Sequence, residues 1–371
     1  MKVAHLVDTF HVGGAQRLLL TFMEMAKRHG YAQPVFVSLQ SEPFDSPIPG
    51  LLESIGGRVI KMSVNTLLDP AVAFQVAKVL REERVELLQT HLVHANIVGP
   101  LAGALLGIPV VSTLHSTRAA PEGRYRLRAL AETISLRYFS KCVIAVGYKV
   151  AEMHQKRLKG QRLEVIPNSV ISSPVLDAHE KKLLREEVAK DPDRKIIYSV
   201  GRFVPLKGYY DMITAFAGVR KRYSQAFLAM VGDGDLRPEL EAYTHELGIQ
   251  DHVNFLGIRN DVQKLLRAGD MYVSSSRWEG LSMAMLEAMS AGLPVLSTNV
   301  GDAPQLLADG RGVLIPPKDV SAMENAMCDL LHDPERLHRM GKAGQAFVEA
   351  NFAVEAWFER IINLYRQVSG R

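Results

Sequence analysis

Short apolar runs separated by helical patterns recur from the first residues of the chain almost to its end. The first series falls at 3–7, 34–39, 58–62, 85–90, 109–114, 142–146 and 163–167, with helical segments such as 15–29, 70–83, 94–106 and 124–140 between them. Strands that are apolar without interruption are covered on both faces, and strands alternating with helices form parallel sheets. The rhythm breaks at Ile166-Pro167-Asn168-Ser169 and Ser172-Ser173-Pro174, which predicts a linker over 168–178. It then restarts, with strands expected at 195–200, 226–231, 253–256, 270–274, 294–298 and 312–315. Residues 319–331, 334–350 and 353–368 read as helix with no strand after them. At 371 residues the chain exceeds one ordinary core. It is expected to form two successive Rossmann-like α/β domains followed by surplus helix.

Ligands of such sheets bind beyond the carboxyl ends of the strands, so the residues after each strand carry the most information. Gly13 and Gly14 follow the first strand and open a helix, leaving backbone N–H groups free for an anion or a sugar. His115 ends Val110-Val111-Ser112-Thr113-Leu114, where it can donate to a ligand hydroxyl or serve structure alone. His91 and His94 flank another strand end, but no acidic or cysteine companion lies near them in sequence to make a metal site. Gly201-Arg202 and Lys207-Gly208 frame a loop with two cations, a planar fork and a point charge, both suited to a diphosphate. Asp233-Gly234-Asp235 has D-x-D spacing and also reads as a plain strand–helix turn. Neither G-x-G-x-x-G nor G-x-x-x-x-G-K-[ST] occurs.

The densest signal is Ser274 to Met289. It starts as a strand end, turns at Gly280 and enters a helix that Gly292-Leu293-Pro294 closes; from Leu281 to Leu293 the only polar side chains are Ser282, Glu287 and Ser290. A helix apolar nearly all round is buried. Glu287 therefore needs a partner, either an Arg from elsewhere or a ligand with hydroxyl donors. Glu279 precedes the helix, beside unpaired backbone N–H groups, where it fits either a polar ligand or the helix dipole alone.

Together these features resemble the retaining GT-B glycosyltransferases of family 4, over nearly the whole chain. Glu279 and Glu287 match the E-x7-E signature, Gly13-Gly14 the loop of the N-terminal domain, His115 its histidine, and Gly201-Arg202 with Lys207-Gly208 the diphosphate loop. The resemblance implies two Rossmann-like domains facing across a cleft. Residues 1–172 would form the acceptor side, 173–352 the nucleotide-sugar domain, and 353–371 a helix crossing back onto the N-terminal domain. It implies retaining transfer of a hexosyl or N-acetylhexosaminyl group from a nucleotide-diphosphate-sugar donor to a hydroxyl of a glycan or lipid-linked acceptor, in cell-surface polysaccharide or glycoconjugate synthesis. Glu279, His115, Arg202 and Lys207 would be catalytic; Glu287, Gly13, Gly14, Gly201, Gly280, Leu281 and Ser282 would bind the donor. Neither metal nor cofactor is expected, since the basic pair would counter the diphosphate. Gln305 stands where many relatives have a carboxylate, and Asn168-Ser169 where Asn-Gly is common. A sugar-nucleotide epimerase or hydrolase of the same fold, and a non-catalytic membrane-associated binding subunit, are the competing readings.

Charge adds a partner. Residues 1–175 carry 20 Lys and Arg against 13 Asp and Glu, the remainder 24 against 27. Residues 118–162 hold 11 basic side chains against Glu122, Glu132 and Glu152, interleaved with aromatics as in Arg124-Tyr125-Arg126-Leu127-Arg128. Such a segment suits an anionic membrane surface or a solvated basic face; no fold motif supports nucleic acid. The N-terminus runs straight into a strand without a signal-peptide core, and Cys142 and Cys328 form no disulfide framework. The expected location is cytoplasmic, on the inner face of the membrane if the basic segment docks there.

Overall fold

The computed structural model describes residues 1–11, 13–40, 46–64, 71–116 and 125–370. They divide into two compact units, Met1–Ser169 with Val354–Arg371, and Val170–Ala353. The breaks fall at 169/170 and 353/354, not at the expected 172/173 and 352/353. The Ser172-Ser173-Pro174 stretch belongs to the second unit because its backbone is tied there. The Val170 N–H donates to the Phe352 carbonyl at 3.1 Å, and the Ser173 N–H to Ser290 Oγ at 3.2 Å.

The first unit runs β1 (Val3–Val7), α1 (Gly14–Arg28), β2 (Val35–Ser38), α2 (Ile48–Ile55), β3 (Arg58–Lys61), α3 (Ala71–Glu82), β4 (Leu87–His91), α4 (Val93–Leu106), β5 (Val110–Leu114), α5 (Tyr125–Phe139), β6 (Cys142–Ala145), α6 (Tyr148–Gln155) and β7 (Leu163–Val165). Its seven strands are parallel in the order β3-β2-β1-β4-β5-β6-β7. β1, β2, β4, β5 and β6 are buried at every position, as continuous apolar strands should be. Val72, Val76, Leu80, Val98 and Ala102 of α3 and α4 cover one face. The other face is closed by Leu18, Phe22 and Met25 of α1 and by the chain's last helix.

The second unit runs α7 (Ala178–Ala189), β8 (Lys195–Val200), α8 (Tyr209–Arg222), β9 (Ala226–Val231), α9 (Arg237–Glu246), β10 (Val253–Gly257), α10 (Val262–Arg267), β11 (Met271–Ser274), α11 (Met283–Ser290), β12 (Val295–Thr298), α12 (Ala303–Leu307), β13 (Gly312–Ile315), α13 (Val320–Leu331) and α14 (Pro334–Asn351). Its six parallel strands follow the order β10-β9-β8-β11-β12-β13. α7 begins with a reciprocal cap, Asp177 accepting from the Glu180 N–H at 2.8 Å and Glu180 from the Asp177 N–H at 3.1 Å.

α15 (Val354–Ser369) then returns to the first unit. Val354, Trp357, Phe358, Ile361, Ile362 and Tyr365 recur at three- and four-residue spacing and bury one stripe of the helix. Phe22 meets Phe358 with ring centroids 5.4 Å apart, and the Tyr365 hydroxyl donates to Gln89 Oε1 inside β4.

Candidate active site

In each sheet the strand order reverses beside the first strand of the unit, between β8 and β11 in one and between β1 and β4 in the other. At such a point adjacent loops diverge and leave a crevice.

In the second unit the loops after β8 and β11 carry most of the predicted residues, and they are laced together. The Arg277 N–H donates to the Leu206 carbonyl at 2.8 Å, and Ser275 Oγ to the Lys207 carbonyl at 2.7 Å. Gly208 makes this approach feasible: its φ is +64°, and a Cβ there would stand 2.3 Å from the Ser275 carbonyl oxygen. The loop after β12 is wedged on next, the Asp302 N–H donating to the Gly280 carbonyl at 3.1 Å. Gly301, at φ +59°, would put a Cβ 2.3 Å from that same oxygen.

This lacing brings Lys207 Nζ onto Glu279 Oε1, and Ser276 Oγ donates to the same oxygen at 2.8 Å. The two charged side chains are 24% and 17% exposed, shielded enough for the contact to be strong yet open to a ligand. Arg202 leads the β8 loop with its side chain exposed, and Gly201 anchors that loop through its N–H on the Val231 carbonyl at 2.9 Å. Ser282 is the N-cap of α11, accepting from the Met285 N–H at 3.4 Å, with Gly280 and Leu281 in the turn before it. Glu287 is buried on that helix.

Both carboxylates bear on one phenol. Burial first, then Tyr209, Glu279 and Glu287, push the Tyr272 hydroxyl well above its ordinary range, against a hydrogen bond from Ser282. Tyr209 is raised by burial and by Glu279 in the same way. Glu279, Glu287, Ser282 and Lys207 thus share one neighbourhood. It offers a cation and two carboxylates able to accept from hydroxyls, beside the N-terminal turns of α8 and α11.

In the first unit, Asp8 follows β1 and caps α4. Its Oδ1 accepts from the Ala95 N–H at 2.8 Å, and its Oδ2 from the His94 N–H at 3.2 Å while lying 3.0 Å from His94 Nδ1. The carboxylate missing near His91-x-x-His94 in sequence is therefore supplied by the fold, 86 positions away. Gly13 is the extended N-cap of α1 and Gly14 its first residue. His115, just past β5, has Nε2 3.1 Å from His91 Nδ1. Burial lowers its imidazole to about 4 and holds that of His91 well below the ordinary range. The predicted set is thus divided: Gly13, Gly14 and His115 lie in the first unit, the remainder in the second.

Asp233, of the D-x-D spacing, pairs with Arg237 at 3.1 Å and accepts from the Gly234 N–H at 2.8 Å. Among the described residues no group of three His, Cys, Asp or Glu is arranged to hold a metal ion. Reading the sequence missed Asp8, Ser276 and Tyr272. Asp8 and Ser276 are polar groups just beyond the tips of apolar strands, whereas Tyr272 lies inside β11 and carries no such signal.

Comparison with known proteins covers both units. Residues 12–173 match the model of the family described as Glycosyltransferase Family 4, and residues 180–347 that described as Glycosyl transferases group 1. The chain is 24% identical over 98% of its length, and 96% of the other's, to the UDP-Gal:alpha-D-GlcNAc-diphosphoundecaprenol alpha-1,3-galactosyltransferase of Escherichia coli. It is 28% identical to the D-inositol 3-phosphate glycosyltransferase of Segniliparus rotundus, over 96% of this chain and 85% of that one. Among solved structures, Anabaena Alr3699/HepE in complex with UDP-glucose superposes with a TM-score of 0.87 at 23% identity, over 99% of this chain and all of that one.

Proposed function

The chain belongs to glycosyltransferase family 4 and has the GT-B fold, and from that premise we propose that it is a retaining enzyme transferring a hexose from a UDP-sugar to a hydroxyl of a polyprenyl-diphosphate-linked glycan. The observation that carries this reading is the Lys207–Glu279 pair held by Ser276 at the switch point of the second sheet. The donor and acceptor classes are supported by the Escherichia coli relative, named for UDP-Gal and a diphosphoundecaprenol-linked sugar, and by the UDP-glucose complex of the Anabaena protein.

In this account the bond between the sugar's C1 and the diphosphate oxygen breaks, and negative charge grows on the phosphate. Arg202 and Lys207 stabilise it, as preorganised cations do best in a site that excludes water. Lys207 turns from Glu279 toward the phosphate, and Glu279 accepts hydrogen bonds from the sugar. Glu287, buried on α11, accepts from the ribose hydroxyls. His115 contacts the sugar, and Gly13 and Gly14 lie close to phosphates and acceptor. The acceptor oxygen joins C1 on the face the phosphate leaves, and its proton passes to the departing phosphate oxygen. No protein base is needed.

The test is turnover of UDP-glucose, UDP-galactose, GDP-mannose and ADP-glucose with and without a polyprenyl-diphosphate-sugar, the product examined by NMR. The proposal expects acceptor-dependent transfer, an α product from an α donor, and no loss of rate in EDTA. A β product, or an altered sugar nucleotide formed without acceptor, overturns it; the second outcome is the epimerase or hydrolase reading.

Membrane contact is the finer part of the proposal. Arg118 to Arg124 lie outside the described residues, but α5 presents Leu127 at 75% and Tyr138 at 70% exposure, with Leu130 and Ile134 exposed between them. These positions form one helical stripe, flanked by exposed Arg126 and Arg137. An apolar stripe edged by cations suits an anionic bilayer. Among the described residues no helix is long and apolar enough to cross one. Vesicles rich in phosphatidylglycerol should float the protein at low salt and release it on joint Arg126→Glu and Arg137→Glu substitution. Equal flotation of both forms removes the idea.

A further inference from the structure

Three adjacent strands of the first sheet carry a line of histidines, of which the transfer described above uses only the last. His5 lies inside β1, His91 ends β4 and His115 follows β5. The register sets His5 opposite Gln89 and His91 opposite Thr113, so each ring stands two residues nearer the strand tips than the one before. Alternation places all three on the face covered by α1 and α15. His5 Nδ1 is 3.1 Å from His91 Nε2, and His91 Nδ1 is 3.1 Å from His115 Nε2. His5 and His91 are 1% and 5% exposed.

Burial lowers His5 to about 3 and His115 to about 4, and His91 is lowered by burial and by the other two rings. Each ring is therefore neutral near pH 7, with one N–H and one bare nitrogen. That couples the two contacts, and only two arrangements satisfy both. In one, protons point toward the strand tips: His5 Nδ1–H donates to His91, His91 Nδ1–H donates to His115, and His115 keeps its proton on Nδ1. In the other every proton is reversed, His115 Nδ1 is bare, and His5 carries its proton on Nε2.

The far end decides between them. His5 Nε2 is buried with no hydrogen-bond partner. A buried N–H without an acceptor is the rarer defect, a buried acceptor without a donor the milder one. The tip-directed arrangement leaves only the milder defect.

We infer that His91, backed by His5, is a positioning residue that locks His115 in its Nδ1–H tautomer, so that His115 meets its ligand as a hydrogen-bond donor to a hydroxyl or phosphate oxygen. Locked in this form, His115 cannot serve as a general base through that nitrogen. The inference rests on the reading that His115 touches the donor.

The experiment is long-range 1H–15N NMR of the full chain carrying 15N-imidazole histidine, with His115 assigned through His115→Gln. The native protein should show His115 protonated on Nδ1 and bare on Nε2. His91→Leu, which removes the donor, should release both tautomers and lower kcat/KM about tenfold. His91→Gln, whose amide N–H can donate to Nε2, should keep the Nδ1–H form and most of the rate. A native His115 protonated on Nε2 overturns the inference, and needs no variant to fold. So does His91→Leu with tautomer and rate unchanged. His115→Ala with full turnover overturns the role given to His91 whatever the tautomer. A locked Nδ1–H form in a protein that transfers no sugar supports the lock and counts against the transferase reading alone.

Discussion

Lys207 and Glu279 are 72 positions apart and meet because Ser275 and Arg277 stitch their loops together. Each was legible alone, as a cation in a glycine-framed loop and a carboxylate before a buried helix. Ser276 was not, since nothing in a run of serines says which hydroxyl will reach a carboxylate. His5 was hidden for the same reason: one polar residue in an apolar strand gains meaning only from the rings of the next two strands. Replacing Lys207 with Ala should lower kcat/KM by at least about a hundredfold, because a cation that reaches the leaving phosphate acts where charge develops. Ser276→Ala should cost about fivefold, the worth of one hydrogen bond that orients Glu279. Steady-state kinetics on both variants check the order; a larger effect of Ser276→Ala would contradict it.

Helices and strands were readable where one period dominates. Every expected strand is present within a few residues, because continuous apolar runs leave a strand little choice. α11 is buried as its nearly unbroken apolar sequence requires. α2 and α6, eight residues each, lie between strands where helix was expected but had no bounds, because so short a segment shows barely two turns of any period. The linker expected over 168–178 contains the break at 169/170, but its Ser-Ser-Pro stretch, which reads as open chain, is held to the second unit where the Ser173 N–H meets Ser290. α15 shows its stripe plainly in sequence, and the aromatic match with Phe22 fixes where the stripe goes. Its Tyr365 is fully buried with its hydroxyl on Gln89. Tyr365→Phe should leave that amide oxygen unpaired and cost about 1–3 kcal/mol, read from urea denaturation followed at the first unit's Trp357. An unchanged midpoint would mean that the buried bond contributes nothing.

At the scale of the molecule, stability should depend on pH through one unit more than the other. His5, His91, His115 and His154 all belong to the first unit, and burial lowers each of them. They stay neutral in the fold while the unfolded chain takes up protons below about pH 6.5. Their contribution is complete above that pH and is lost as pH falls toward the folded values near 3 to 4. The slope is about 1.4 kcal/mol per pH unit for each histidine. Calorimetry between pH 8 and 5 should show the first unit melting progressively earlier below pH 6.5, and His5→Phe should flatten that fall; a pH-independent transition would contradict it. Two-unit architecture was readable from the broken rhythm of strands, whereas this imbalance was not, because it depends on which histidines the fold buries.

The account turns on the strand tips of the second sheet holding a nucleoside diphosphate through Lys207 and Glu287. Isothermal titration with UDP, GDP and ADP tests this directly. It should find one of them bound, at least about tenfold more weakly by Lys207→Ala and by Glu287→Gln, and within about twofold unchanged by His115→Gln. Binding of none of the three, or equal binding by the native protein and the first two variants, would contradict it.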